Sequence, residues 1–375
     1  MVMNRRFMGA LVLSAATAWG GCGPVEKTGV DDGNFDQEIG TAQTALANGA
    51  HQDPLDFLIS DQFNNRVILV NGAHQVTWHF GDGSNVAGPT SVVAPNDAER
   101  VGNATLISGT GAPAGAEPGC DMGCFDNRVL FVDKKGKIFW QYGQANVTGA
   151  GPNELNAPVA AMFLPNGHIL ITDQGNARII EVTKGKKIVW QYGQTGVSGA
   201  GDNQLNNPNS AMLLENGNIL IADENNNRVI EVTRQNKIVW QYGTPSDTAT
   251  LNGPAFASRL DNGNTLISDS LNNRVVEVCE QKKVVWSYDT SQRPGSVMAP
   301  VPTRAVRLRN GNTLISDQFN HQVIEVGKNA KPTDKLVFAQ GAIGVAGSGF
   351  NQLNAPYDAK VPGDFTGLTP PFGWE

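Results

Sequence analysis

The chain has 375 residues, 17% charged and 40% apolar, with a formal net charge of −7. Its 43 Gly and 20 Pro follow no collagen period and form no low-complexity run, which excludes fibrous and wholly disordered classes. Phosphate neutralisation needs a basic stripe; none is visible, and the acidic balance argues against a nucleic-acid partner.

The N-terminus reads as an address. Asn4-Arg5-Arg6 is a short positive region, and Phe7 to Ala18 is an apolar one of 12 residues. A bilayer span needs ~20, so residues 1–21 read as a secretory signal. Two cleavage readings stand side by side. Ala16-Thr17-Ala18 suits ordinary signal peptidase, while Gly20-Gly21-Cys22 resembles a bacterial lipobox with Cys22 as the lipidated residue. Gly23 after that cysteine, by resemblance to bacterial lipoproteins, implies the outer membrane; the alternative is a periplasmic or extracellular location. Residues 22–53 are polar, with Asp31, Asp32, Asp36 and Glu38 clustered, and read as a flexible tether.

From residue 54 to 368 the chain repeats itself. Asn216 opens NGNILIADENNNRVIEVTRQNKIVWQYG, and Asn166, Asn262 and Asn310 open close copies. Aromatic residues of an outer strand recur at Trp78, Trp140, Trp190, Trp240, Trp286 and Phe338. An Arg recurs at Arg66, Arg128, Arg178, Arg228 and Arg274, with Gln322 in the sixth place. Pro-x-x-Ala marks a first strand six times, at Pro95, Pro158, Pro208, Pro254, Pro302 and Pro356. Each unit predicts four short strands, as in Ala211–Leu214, Asn218–Ala222, Arg228–Val232 and Lys237–Tyr242. Asn216-Gly217 is expected to form a hairpin turn with positive φ at both residues. Such units at this spacing describe an all-β, six-bladed β-propeller of four-stranded antiparallel blades. The unit beginning at Phe57 lacks a first strand, and the strand from Pro356 lacks a blade. The C-terminal strand is therefore expected to pair into the first blade, removing free sheet edges. Residues 369–375 form a tail.

The run Asp-x-x-x-Asn-Arg (Asp223 to Arg228) and the linker Gly-x-Gly-x-x-x-Leu-Asn-x-Pro (149–158, 199–208 and 347–356) resemble the NHL-repeat family of six-bladed propellers. The likeness covers residues 54–368 and implies the fold; propellers host many activities. In the repeats, Asp and Asn are expected to cap turns and Arg to tie neighbouring strands, with Trp packing between blades. Gly199 and Gly201 read as a blade connection needing permissive backbone.

Non-repeated residues are the candidates for function. Cys120 and Cys124 lie in an insertion, residues 109–126, where export favours a local disulfide. Cys279 stands where other units have Thr183 and Thr233 and reads as a small strand residue. Two residues after each Pro, at the expected channel mouth, stand Asp97, Ala160, Ser210, Phe256, Arg304 and Asp358. Arg304, Asp358 and Asp97 belong to consecutive blades. An Arg–carboxylate bridge is one reading. A shared Ca²⁺ on Asp97 and Asp358, the one cofactor considered, is the other. Tyr357 and His321 are placed at the same mouth. The function read from this is binding or scaffolding at the cell envelope, with a protein or polymer on a propeller face and membrane contact through the lipid anchor alone. Parts of the repeat also look like arylsulfotransferase-like propellers; that likeness implies a histidine nucleophile, His321, helped by Arg304. A metal-dependent lactonase or lyase using Asp97 and Asp358 is a further enzymatic reading.

Overall fold

The computed structural model describes residues 56–370. The signal, the whole tether with Cys22, and the last five residues lie outside them.

Six four-stranded antiparallel sheets follow one another along the chain. In blade four the strands are Pro208–Leu213, Ile219–Asp223, Arg228–Val232 and Ile238–Gly243. The first strand starts three residues earlier than the apolar pattern suggests, because Pro208 already pairs with Asp223. Ring closure is as expected. Pro356–Lys360 pairs antiparallel with Phe57–Asp61, through Ile59↔Ala359 and Ser60↔Asp358, and becomes the innermost strand of blade one. The closing strand thus supplies the backbone partners that blade one lacks.

Asp223 pairs with Arg228, and Arg228 pairs with Gly243. The loops between second and third strands and the inter-blade linkers therefore share one side, here the linker face. The remaining hairpins share the other, the hairpin face. Side chains alternate along each strand, and their inward halves stack blade on blade. The second strands Ile219–Asp223, Thr265–Asp269 and Thr313–Asp317 are buried at every residue.

Three local expectations change. First, only Gly217 of the Asn216-Gly217 pair has positive φ, +80°. Gly217 N donates to Leu214 O and Leu214 N to Asn218 O, a three-residue loop rather than a two-residue one. Asn216 serves through its side chain, which accepts from Asn218 N at 3.0 Å and donates to Glu231 Oε1 at 3.0 Å. Second, the repeated Asp holds the incoming linker instead of capping its own turn. Asp223 Oδ1 accepts from Asn206 N at 2.8 Å, and its Oδ2 accepts from Asn226 Nδ2 and Arg228 Nε. Arg228 then donates to linker carbonyls of Ala200 and Gln204. Where Gln322 replaces the Arg, Arg293 from the preceding linker reaches Asp317 at 2.8 Å. Third, Gly199 does not need the permissive backbone: its φ is not positive, and an added Cβ would meet only the movable end of Gln204, with Oε1 at 2.3 Å. The dihedral requirement falls on Gly243, with φ +80° and Asn227 O 2.3 Å from any added Cβ.

The outer tryptophans bridge to the next blade. Trp78, Trp140 and Trp190 Nε1 donate to Lys134 O, Lys184 O and Arg234 O. Arg100, Arg234, Arg259 and Arg307 stack over the rings of Trp78, Trp190, Trp240 and Trp286 at 4.6–5.4 Å.

Candidate functional site

The residues two beyond each Pro do line the channel, but below its mouth. Asp97, Phe256, Arg304 and Asp358 are at most 5% exposed. Arg304 Nη2 donates to Asp97 Oδ1 at 2.8 Å, and its Nε lies 2.8 Å from Asp358 Oδ1. Its guanidinium lies 4.2 Å from the centroid of the Phe256 ring on the neighbouring blade five. Arg304 thereby joins blades five, six, one and two.

Two further residues, two positions along the same strands, complete the cluster. Lys360 Nζ donates to Asp97 Oδ1 at 2.6 Å, Asp358 Oδ2 at 2.9 Å and Ala98 O at 2.9 Å. Glu99 Oε2 accepts from Phe163 N at 3.1 Å. The other carboxylates do likewise: Asp358 Oδ2 accepts from Ala98 N and Asp97 Oδ2 from Ala161 N. Each carboxylate thus satisfies an amide on the inner edge of the next blade, which no further strand can reach.

Three carboxylates face two cations in a buried site. Burial works against the Asp97 anion, but Lys360 and Arg304 outweigh it and hold its pKa below the ordinary value. Burial, joined by repulsion from Asp97, pushes Asp358 up. Glu99 is pushed by burial up to about 7. Desolvation works against the Lys360 ammonium, yet the two aspartates raise its pKa. Below about pH 7 a proton on Glu99 leaves two carboxylates facing two cations.

A cavity of about 20 Å³ beside the cluster is lined by Ala160, Ser210, Met162 and Met212, with Leu368 and Thr369. That is room for about one water. Thr369 Oγ1 donates to Leu213 O, which fixes the tail across the hairpin end.

Tyr357 and His321 do not join this cluster. Tyr357 OH exchanges hydrogen bonds with Asn209, which also donates to Glu224 Oε2 at 2.7 Å. Burial, with the Glu224 charge, pushes the Tyr357 phenol well up. Glu224 also accepts from Asn207, and across the same end Gln318, Gln62 and Asn96 form a hydrogen-bonded chain. His321 has φ +55° and its Nδ1 accepts from Ala355 N at 3.0 Å. Asn65 and Asn227 do this in their own blades, accepting from Ala94 N and Gly253 N. His321 is therefore a linker clasp in place of Asn, and burial lowers its pKa.

The insertion is an extended hairpin, with strands continuing past Gly109 through Gly111↔Phe125 and Ala112↔Cys124. Cys120 and Cys124 are joined as a disulfide across its tip. Glu117 within it accepts from Asn65 Nδ2 at 2.7 Å and leaves Oε1 buried without a partner. Phe63, Asn64, Gly83, Asn85, Glu117 and Pro118 line a depression of about 430 Å³ on the linker face. A cleft of about 810 Å³ opens on the hairpin face, between the hairpins of blades four and five and the segment Gly367 to Pro370.

No group of three or more His, Cys, Asp or Glu suited to a metal ion occurs among the described residues. No family model and no curated protein matches the chain. Among solved structures, the chain is similar to a protein of unknown function from Bacteroides caccae, at 16% identity over 76% of this chain and 93% of that one, with TM-score 0.53. Virginiamycin B lyase from Staphylococcus aureus aligns at 15% identity over 75% and 84%, with TM-score 0.47. A streptogramin B lyase aligns at 14% over 73% and 86%, with TM-score 0.48. The likeness to the Bacteroides caccae protein is one of fold alone.

Proposed function

We propose that this propeller is a non-catalytic binding module of NHL type, exported and held at the bacterial envelope by a lipid on Cys22, and that it contacts a protein through its linker face. The observation that carries this reading is the depression beside the stapled insertion. It combines a buried, half-paired carboxylate on Glu117 with exposed apolar side chains in the adjoining loops. Met122 is 87% exposed, and Val86 and Phe125 of the same sector are exposed too. Met298 and Phe319, on blade six's loops, extend the apolar character around the ring. Loops on a rigid scaffold are where such contacts are made, and exposed apolar groups rimmed by polar ones suit a protein partner.

The channel supports the same reading from the other side. Its aspartates already hold Arg304 and Lys360, so the oxygens that a calcium ion would take are engaged by protein cations. His321 gives its ring nitrogen to a backbone amide, which does not suit a nucleophile.

The experiment is cross-linking capture from envelope fractions by the exported chain, compared with Met122→Ser plus Phe125→Ser. A specific protein captured by the wild type and lost with the double variant is expected. Capture unchanged by the double variant, or no specific partner, contradicts the proposal.

A further inference from the structure

The chain is acidic overall, but the fold segregates its charge. Twelve of the fourteen lysines lie in turns between third and fourth strands, in the segments DKKGK, TKGKK, RQNK, EQKK and KNAKPTDK. The register places these turns on the hairpin face: Val132↔Ile138, Val182↔Ile188, Val232↔Ile238 and Val278↔Val284 flank four of them. Eleven of the twelve are exposed. Blades two to six each contribute, so the lysines form an arc around five sixths of the ring.

This arc is built on rigid parts. Trp78, Trp140 and Trp190 clamp the turns of the next blades through their backbone carbonyls. Two of the three acids within the turns bond local amides: Asp133 Oδ1 accepts from Lys135 N and Lys137 N, and Asp334 Oδ2 from Lys331 N; the third, Glu280, is exposed. Glu181, Glu231, Glu277 and Glu325 behind the turns bond Asn side chains of the first hairpins. Asp56, Glu215, Asp261 and Asp364 are the other acids of this face outside the channel. Most exposed large apolar side chains lie in linkers, linker-face loops and outermost strands; Val337 stands in the last lysine turn, and Val76, Ile238 and Val284 flank other hairpin turns.

The chain also enters the propeller here. Phe57 pairs with Val70, at the hairpin end of blade one, so the first strand of the propeller starts on the lysine side. We infer that the hairpin face docks on an anionic bilayer surface, with the lysine turns against lipid phosphates and the linker face turned outward. A ring of turns at one level matches a plane, and a patch of this kind gives the second attachment that one acyl chain lacks. The inference concerns a different face from the proposed protein contact and is independent of it, but it rests on the proposed envelope anchoring for the acyl chain that it supplements.

The test uses the exported chain carrying Cys22→Ser, so that no acyl chain contributes. It is sedimented with vesicles of phosphatidylcholine containing about one-third phosphatidylglycerol, and with pure phosphatidylcholine. Binding is expected to the anionic vesicles only, at low salt, and to fall steeply as the Debye length shrinks from about 10 Å to 3 Å between 0.1 and 1 M salt. Each lysine neutralised should weaken it about fivefold. Lys186→Gln plus Lys187→Gln should thus cost about 25-fold with unchanged melting, whereas Met122→Ser should bind as wild type. Equal binding to neutral vesicles, no binding to anionic ones, or wild-type binding by the lysine variant overturns the inference. Tighter binding to DNA or heparin than to vesicles also overturns it, assigning the face to a soluble polyanion.

Discussion

Arg304 and Asp97 stand 207 residues apart in the chain and meet at 2.8 Å in the channel. Their pairing ties blade six to blade two across the closing strand of blade one. Removing Arg304 leaves Asp97 and Asp358 with Lys360 alone. Arg304→Met should therefore cost about 3–5 kcal/mol, as for a buried pair broken on one side. Urea denaturation measures it; a loss under about 1 kcal/mol would mean that the cluster is far better solvated than its burial indicates.

Glu99 should make stability fall with rising pH. Its folded pKa, about 7, lies above the ordinary 4.5, so the folded state keeps a proton that the unfolded chain releases. The stabilisation is complete below pH 4.5 and is lost as pH rises to about 7. Glu99→Gln keeps an oxygen for Phe163 N and carries no charge. Relative to that variant, the wild type should lose up to about 3 kcal/mol across this window. Parallel pH-dependent denaturation curves for the two proteins check the sign; curves that stay parallel would refute it.

Asp61 clasps the point where the ring shuts, since its Oδ1 accepts from Asn354 N at 2.7 Å while Oδ2 holds Arg66 and Asn64. Asp61→Ala should cost about 1–3 kcal/mol. Its distinguishing effect is local: faster amide exchange in Pro356–Lys360 and Phe57–Asp61 than in blade four. Uniform acceleration around the ring would argue against a closure-specific role.

The disulfide spans only four residues of separation, so it removes little chain entropy. Reduction should lower global stability by no more than about 2 kcal/mol. The visible effect should instead be protease nicking between Ala112 and Cys124. Cooperative loss of the whole propeller on reduction would show that the insertion holds more than its own hairpin.

Blade number, strand order and closure were legible because turn residues and apolar alternation repeat six times, and each copy constrains the others. Lys360 and Glu99 were not, although they lie two residues beyond Asp358 and Asp97. Alternate residues of a strand share a face, so extending the comparison by one alternation finds both. His321 drew attention as a reactive group. Its position instead demands a left-handed backbone, which Asn65, Asn227 and Asn273 adopt in other blades and which His also tolerates. Net charge hid the lysine arc, because composition is blind to which turns a fold gathers on one side.

The account rests on the channel charges being balanced within the protein, and a metal titration tests that most directly. Calcium, then zinc, is added while the melting temperature is followed, with Asp97→Asn plus Asp358→Asn alongside. A ligand bound by the folded state alone raises the melting temperature by mass action. With Lys360 and Arg304 holding both aspartates, no shift is expected in either protein. A rise in the wild type that vanishes in the double variant would contradict the account and make the channel a metal centre.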